Sequence, residues 1–117
     1  MLTKDKIYYF AHPCTTGNLT IVENRVIEES LYNQVLAVHG IKVLRPLQLI
    51  PETMGHREAM EKCFKLLDVA DCAIFPQNWE TSKGCRMEYD WCLANGKTIL
   101  FINRYYEVVR ELEGKIW

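Results

Sequence analysis

The chain has 117 residues, 49% of them apolar and 25% charged, with a formal net charge of −1. That length favours one domain, which can bury roughly two-thirds of its unfolded surface without disulfides or metal. A near-zero charge supplies no basic field for a nucleic-acid polymer, and no apolar run approaches the ~20 residues that span a bilayer.

In chain order, "IYYFA" from Ile7 is a continuous apolar run, which predicts a strand covered on both faces. "HPCTTGN" breaks it. From Leu19 to Val38 the residues Leu19, Val22, Val26, Ile27, Leu31, Val35 and Val38 recur mostly at threes and fours, predicting a long amphipathic helix closed by Gly40. "IKVLRP" from Ile41 reads as a second strand stopped by Pro46. A loop with Pro51 and Gly55 follows, then a helix from about Arg57 to Val69. "CAIF" reads as the third strand, ended by Pro76. A helix from Gly84 to Ala94 closes at Asn95-Gly96, "KTILFI" is the fourth strand, and Arg104 to Glu113 reads as a final helix.

Strands alternating with helical crossovers call for a parallel sheet with helices on both faces. The expected fold is α/β: a three-layer, doubly wound parallel sheet of four to five strands, flavodoxin-like or Rossmann-like, in a single domain over 1–117. Ligands in such sheets bind at the carboxyl ends of the strands. That directs attention to the loops Ala11–Asn18, Pro46–His56 and Pro76–Lys83, and to the chain from Asn103 onward.

The five cysteines, Cys14, Cys63, Cys72, Cys85 and Cys92, contain no C-x-x-C pair and match no zinc spacing. With nothing resembling a signal peptide, a reduced, cytoplasmic chain is expected, its thiols mostly small core residues. His12, His39 and His56 lack the paired acids of a zinc site, so no metal is expected. Neither G-x-G-x-x-G nor G-x-x-x-x-G-K-[ST] occurs, and no cofactor is expected.

In "SKGCRME", Ser82 is a good helix cap and Gly84 lets the backbone approach a ligand. Met87, Trp91 and Ala94 define the expected buried stripe, which leaves Glu88 beside it at the rim of the crevice. Spacing alone is equally satisfied by a capped helix bearing a solvated glutamate. In "FAHPCTTGN", the residues Thr15, Thr16, Gly17 and Asn18 lie where N–H groups and a helix dipole favour phosphate. The plainer reading there is a turn with Asn18 as the cap. Tyr8 and Tyr9 face opposite sides of the first strand, and a hydroxyl near the strand end could reach Glu88; the plainer reading is a core tyrosine with a satisfied hydroxyl.

Together, "YYFAHPCTTGN" and "ADCAIFPQNWETSKGCRMEYDWCLANGKTILF" resemble the nucleoside 2-deoxyribosyltransferase-like superfamily, especially its short phage and bacterial branch. The series Asp71, Trp79, Ser82, Gly84, Glu88 fits at every step. The resemblance implies that Glu88 is a nucleophile toward the anomeric carbon of a nucleoside or nucleoside 5′-monophosphate, and that Tyr9 orients it. It implies substrate contacts from His12, Pro13, Thr16, Gly17, Cys63, Trp79, Ser82 and Gly84, with Ser82 near a 5′-phosphate. Two positions depart from the pattern. Cys63 stands where an aspartate is usual, with Glu58 or Glu61 as substitutes, and His12 stands where a glycine is usual. The resulting expectation is an N-glycosidase or deoxyribosyltransferase without a metal or cofactor. It would act on a small molecule rather than a nucleic-acid polymer or a membrane, as a homodimer or higher homo-oligomer. The alternative is a non-catalytic module of the same fold that binds a nucleotide or an ADP-ribose-like ligand. A pure interaction domain would draw on Tyr105, Tyr106 and Trp117.

Overall fold

The computed structural model describes residues 2–15 and 18–110. Strand β1 (Ile7–Phe10) leads to α1 (Ile21–Leu31), which continues through a π-helical turn, Tyr32–Leu36, and a 3-10 turn, Ala37–His39. Gly40 closes this helical run at φ 61°, a left-handed conformation that glycine adopts without steric cost. Then come β2 (Lys42–Leu44), the single turn α2 (Pro46–Leu49), α3 (His56–Val69), β3 (Cys72–Phe75), α4 (Lys83–Ala94), β4 (Thr98–Ile102) and β5 (Val108–Val109).

The sheet order is β2-β1-β3-β4-β5. The first four strands are parallel, and β5 pairs antiparallel with β4, Phe101 opposite Val109. This is the expected three-layer, doubly wound, flavodoxin-like arrangement. Tyr9, Ala11, Ala73, Phe75 and Phe101 face Cys63 and Leu67 of α3 and Cys85 and Cys92 of α4. On the other face Tyr8, Phe10, Ile74, Leu100 and Ile102 pack with Val35 and Leu36. Every residue of β3 is buried, as its unbroken apolar run requires.

Asp71 ties the two central strands together where they begin. Its Oδ2 accepts from the Ile7 N–H at 2.8 Å, and its own N–H donates to the Ile7 carbonyl at 2.8 Å. Register then sets Tyr9 opposite Ala73. At the other end of β3, Trp79 stacks on Tyr89 with centroids 4.4 Å apart, and both flank Phe75. Each such aromatic pair adds about 0.5–1.5 kcal/mol beyond its burial, enough to fix the loop that delivers α4.

Two elements differ from the sequence expectation. The inward residues of α1 are Asn24 and Glu28, whereas Val22, Val26 and Ile27 are exposed. Leu19 precedes the helix, Val22 and Val26 form one line on it and Asn24, Glu28, Leu31 and Val35 another, so the apolar series mixes two faces. The polar line turns inward because Glu28 accepts from Arg45 at 2.7 and 3.0 Å and from Gln48 at 3.1 Å. The final helix expected from Arg104 is absent over 104–110, and 111–113 lie outside the described residues. Asn103 Oδ1 accepts from the N–H groups of Tyr105 and Glu107, and Tyr106 at φ 61° turns the chain back into β5.

Among the described residues no helix is long and apolar enough to cross a membrane. All five cysteines are free, and all but Cys14 are buried.

Candidate active site

The centre of the site is set by α4. Its buried residues are Cys85, Glu88 and Cys92, one line at i, i+3 and i+7. Met87 and Ala94 are exposed and Trp91 is half-buried against Phe64, so the expected Met87–Trp91–Ala94 stripe is not the buried one. Small thiols take the inward positions. Glu88 is consequently 4% exposed, in the core face rather than at the crevice rim.

Tyr9 Oη donates to Glu88 Oε2. The thiols of Cys63, from α3, and Cys85 are further hydrogen-bond partners of the carboxylate. The Glu88 carboxyl is raised from an ordinary 4.5 to about 7, because burial outweighs the lowering effect of its bonds to Tyr9, Cys63 and Cys85. Burial and the neighbouring carboxylate hold Tyr9 well above 10, and push Cys63 to about 12. Cys85 is raised well above 9 for the same reasons. At neutral pH these groups stay protonated and act as donors, while Glu88 is poised between its two forms. Among the described residues no cation pairs with it.

The contrast with Glu28 is instructive. Both carboxylates are buried, but Glu28 is clasped by the Arg45 guanidinium, which also lies 4.0 Å over the Tyr32 ring. Glu28 is a structural ion pair. Glu88 is a desolvated carboxylate held only by neutral donors, the environment of a base or nucleophile.

Ser82 caps α4, its Oγ accepting from the Cys85 N–H at 3.2 Å, and is itself buried. No acid lies in the first turn of α4, so that helix end keeps its positive dipole. A Cβ on Gly84 would meet Met60 Sδ at 3.5 Å, an ordinary contact. The start of α1 is different. Thr20, not Asn18, is the cap, and Glu23 completes a capping box with it. A carboxylate therefore already occupies the helix end that the phosphate reading would have used.

The structure brings together Tyr9, Cys63 and Glu88, with Ser82 joined through Cys85. Pro13 is fully buried after β1, and Trp79 packs on the α4 side with its indole N–H buried and without a partner. His12 lies on the α1 side of the sheet, edge-on to Phe10, with Nδ1 2.9 Å from the Pro13 carbonyl. Thr16 and Gly17 lie outside the described residues. Glu58 and Glu61 are exposed on α3, Glu61 facing Arg57 at 3.6 Å, and do not take the place of the missing aspartate. Asp71, the first member of the motif series, is a strand clamp. Sequence reasoning overlooked Cys85; only its spacing of three from Glu88 marks it. Among the described residues no cluster of His, Cys, Asp and Glu could hold a metal ion.

The fold and this site define a flavodoxin-like α/β domain with a buried, hydrogen-bonded carboxylate beside its central strand. The chain belongs to the family described as Domain of unknown function (DUF4406), whose pattern matches residues 9–101 and so includes both Tyr9 and Glu88. No curated protein matches the chain.

Proposed function

We propose that the protein cleaves or transfers the N-glycosidic bond of a nucleoside or nucleoside 5′-monophosphate, with Glu88 as nucleophile and Tyr9 as its positioning partner. The observation that carries this reading is the Tyr9–Glu88 hydrogen bond around a buried carboxylate that has no counter-ion among the described residues. The resemblance of both segments to the nucleoside 2-deoxyribosyltransferase-like superfamily supplies the substrate class. In the first step a Glu88 oxygen bonds to the anomeric carbon as the C–N bond breaks, and the base leaves with the electron pair and takes a proton from solvent. Water or a second base then attacks the anomeric carbon, breaks the glycosyl ester and returns the Glu88 carboxylate. The acid-free start of α4, with Ser82 and Gly84, suits a 5′-phosphate better than the start of α1.

One observation favours the alternative, a non-catalytic module binding a nucleotide or ADP-ribose-like ligand. The Cys63 thiol, pushed up to about 12, is a poor proton donor to a leaving base. Base release from ribo- and deoxyribonucleosides and their 5′-monophosphates, by wild type and Glu88→Ala, separates the two. Glu88-dependent release establishes the enzyme. Absence of release, with thermal stabilisation by a nucleotide, establishes the binding module, and Cys63→Asp then tests whether a carboxylate there restores turnover.

A further inference from the structure

On the face of the sheet opposite Glu88, an open cleft of about 470 Å³ lies between α1 and the carboxyl ends of β1, β3 and β4. It falls at the topological switch point. His12 follows β1, Gln77 and Asn78 follow β3, and α1 leaves toward β2 while the later elements build in the other direction. Its volume is in the range of small-molecule sites.

The lining is selective in its chemistry. In a chain where 25% of residues are charged, none of the described residues lining this cleft is Asp, Glu, Lys or Arg. Three amides, Gln34, Gln77 and Asn78, are among its lining residues, each carrying a donor and an acceptor. Gln34 Nε2 reaches Ser30 Oγ at 3.1 Å, which leaves its carbonyl oxygen as an acceptor. His12 Nδ1 faces a carbonyl and so carries the hydrogen, making Nε2 an acceptor, and burial keeps the imidazole neutral. The apolar wall is Val26 and Ile27, 65% and 42% exposed, which the core of the domain does not use.

Tyr106 adds an independent observation. It is the one non-glycine residue at positive φ among the described residues, at 61°, and it lines this cleft while 60% exposed. A left-handed tyrosine carries a steric cost that glycine would avoid. The backbone strain places a flat aromatic surface beside amide edges and an apolar wall, the combination that holds a planar heterocycle.

We propose that this cleft is a second ligand site, built for a neutral, planar nitrogen heterocycle with donors and acceptors on its edge. The proposal is independent of the role of Glu88, which lies on the other face.

The test is titration of the full chain with adenine, hypoxanthine and cytosine, followed by backbone NMR, with benzoate and inorganic phosphate as charged controls. Saturable shifts at Gln34, Gln77, Asn78 and Tyr106 are expected from at least one neutral base and from neither control. Tyr106→Gly relieves the strained φ and should fold at least as well as wild type, while weakening that binding about tenfold through lost stacking. Glu88→Gln should leave it unchanged. The proposal is overturned if no neutral base binds, or if binding survives Tyr106→Gly and vanishes in Glu88→Gln. It is equally overturned if the same amides shift with protein concentration alone, which would make the cleft an interface between copies of the chain.

Discussion

Tyr9 on β1 donates its phenolic hydrogen to Glu88 on α4, a bond that joins residues 79 apart in sequence. It spans the layer between sheet and helix, so it exists only when the parallel sheet and the α3–α4 face are both assembled. The two groups differ in how they titrate. Tyr9 stays protonated far above neutrality, whereas Glu88 changes form near pH 7.

That difference makes Glu88 a cost to folding at alkaline pH. Its folded value of about 7 lies above the ordinary 4.5, so between these values the folded state binds more protons than the unfolded. The stabilisation is full below pH 4.5, falls as pH rises, and is gone above about 7, a change of about 3 kcal/mol. Glu88→Gln should remove this dependence. Urea melts at pH 5 and pH 8 should show the variant gaining on wild type at the higher pH; an equal difference at both would contradict a raised carboxyl.

The Tyr9 bond lowers the Glu88 value, so Tyr9→Phe should raise it. If Glu88 acts as its carboxylate, the acid limb of kcat/KM moves to higher pH. A shift of about one unit lowers the rate about fivefold at pH 7, with recovery near pH 9. A uniform loss across the profile would mean that the tyrosine serves packing alone.

Gly84→Ala separates fold from ligand. The added methyl meets Met60 Sδ at an ordinary 3.5 Å, and alanine in place of glycine favours a helix by up to about 1 kcal/mol. The variant should melt no lower than wild type but lose preference for 5′-monophosphates over nucleosides. Unchanged preference would move the phosphate away from the start of α4.

Arg45→Ala leaves Glu28 buried without its cation and should cost about 3–5 kcal/mol in a denaturant melt. Glu28→Met combined with Arg45→Met should recover most of that loss. If the single variant is nearly neutral, the pair does not hold α1 to the start of α2.

The first four strands were legible because they are mostly apolar runs, whereas β5 lay inside an expected helix; the site was half legible because Ser82 and Gly84 announce the start of α4. What escaped was set by partners remote in sequence. Glu28 turns inward to meet Arg45, 17 residues on, and no local period contains that fact. On α4 the inward line is Cys85, Glu88 and Cys92, small side chains that a search for bulky apolar residues passes over in favour of Met87 and Trp91. Arg104 to Glu107 carries helix-compatible residues, but the Asn103 side chain captures two backbone N–H groups and reverses the chain. The cleft beside Tyr106 has no linear signature, being assembled from α1 and the ends of three strands.

The Asp71 clamp has a consequence for which tyrosine does the work. Side chains alternate across a strand, so sliding β1 by one residue would exchange its two faces. With tandem tyrosines, such a slip would still offer a phenol to the helix side, but Tyr8 would arrive where Tyr9 belongs and Phe10 would lose its place among Ile74 and Ile102. The sequence "YY" is thus chemically forgiving and positionally ambiguous. A carboxylate 64 residues away, closing on the first amide of the strand, removes the ambiguity.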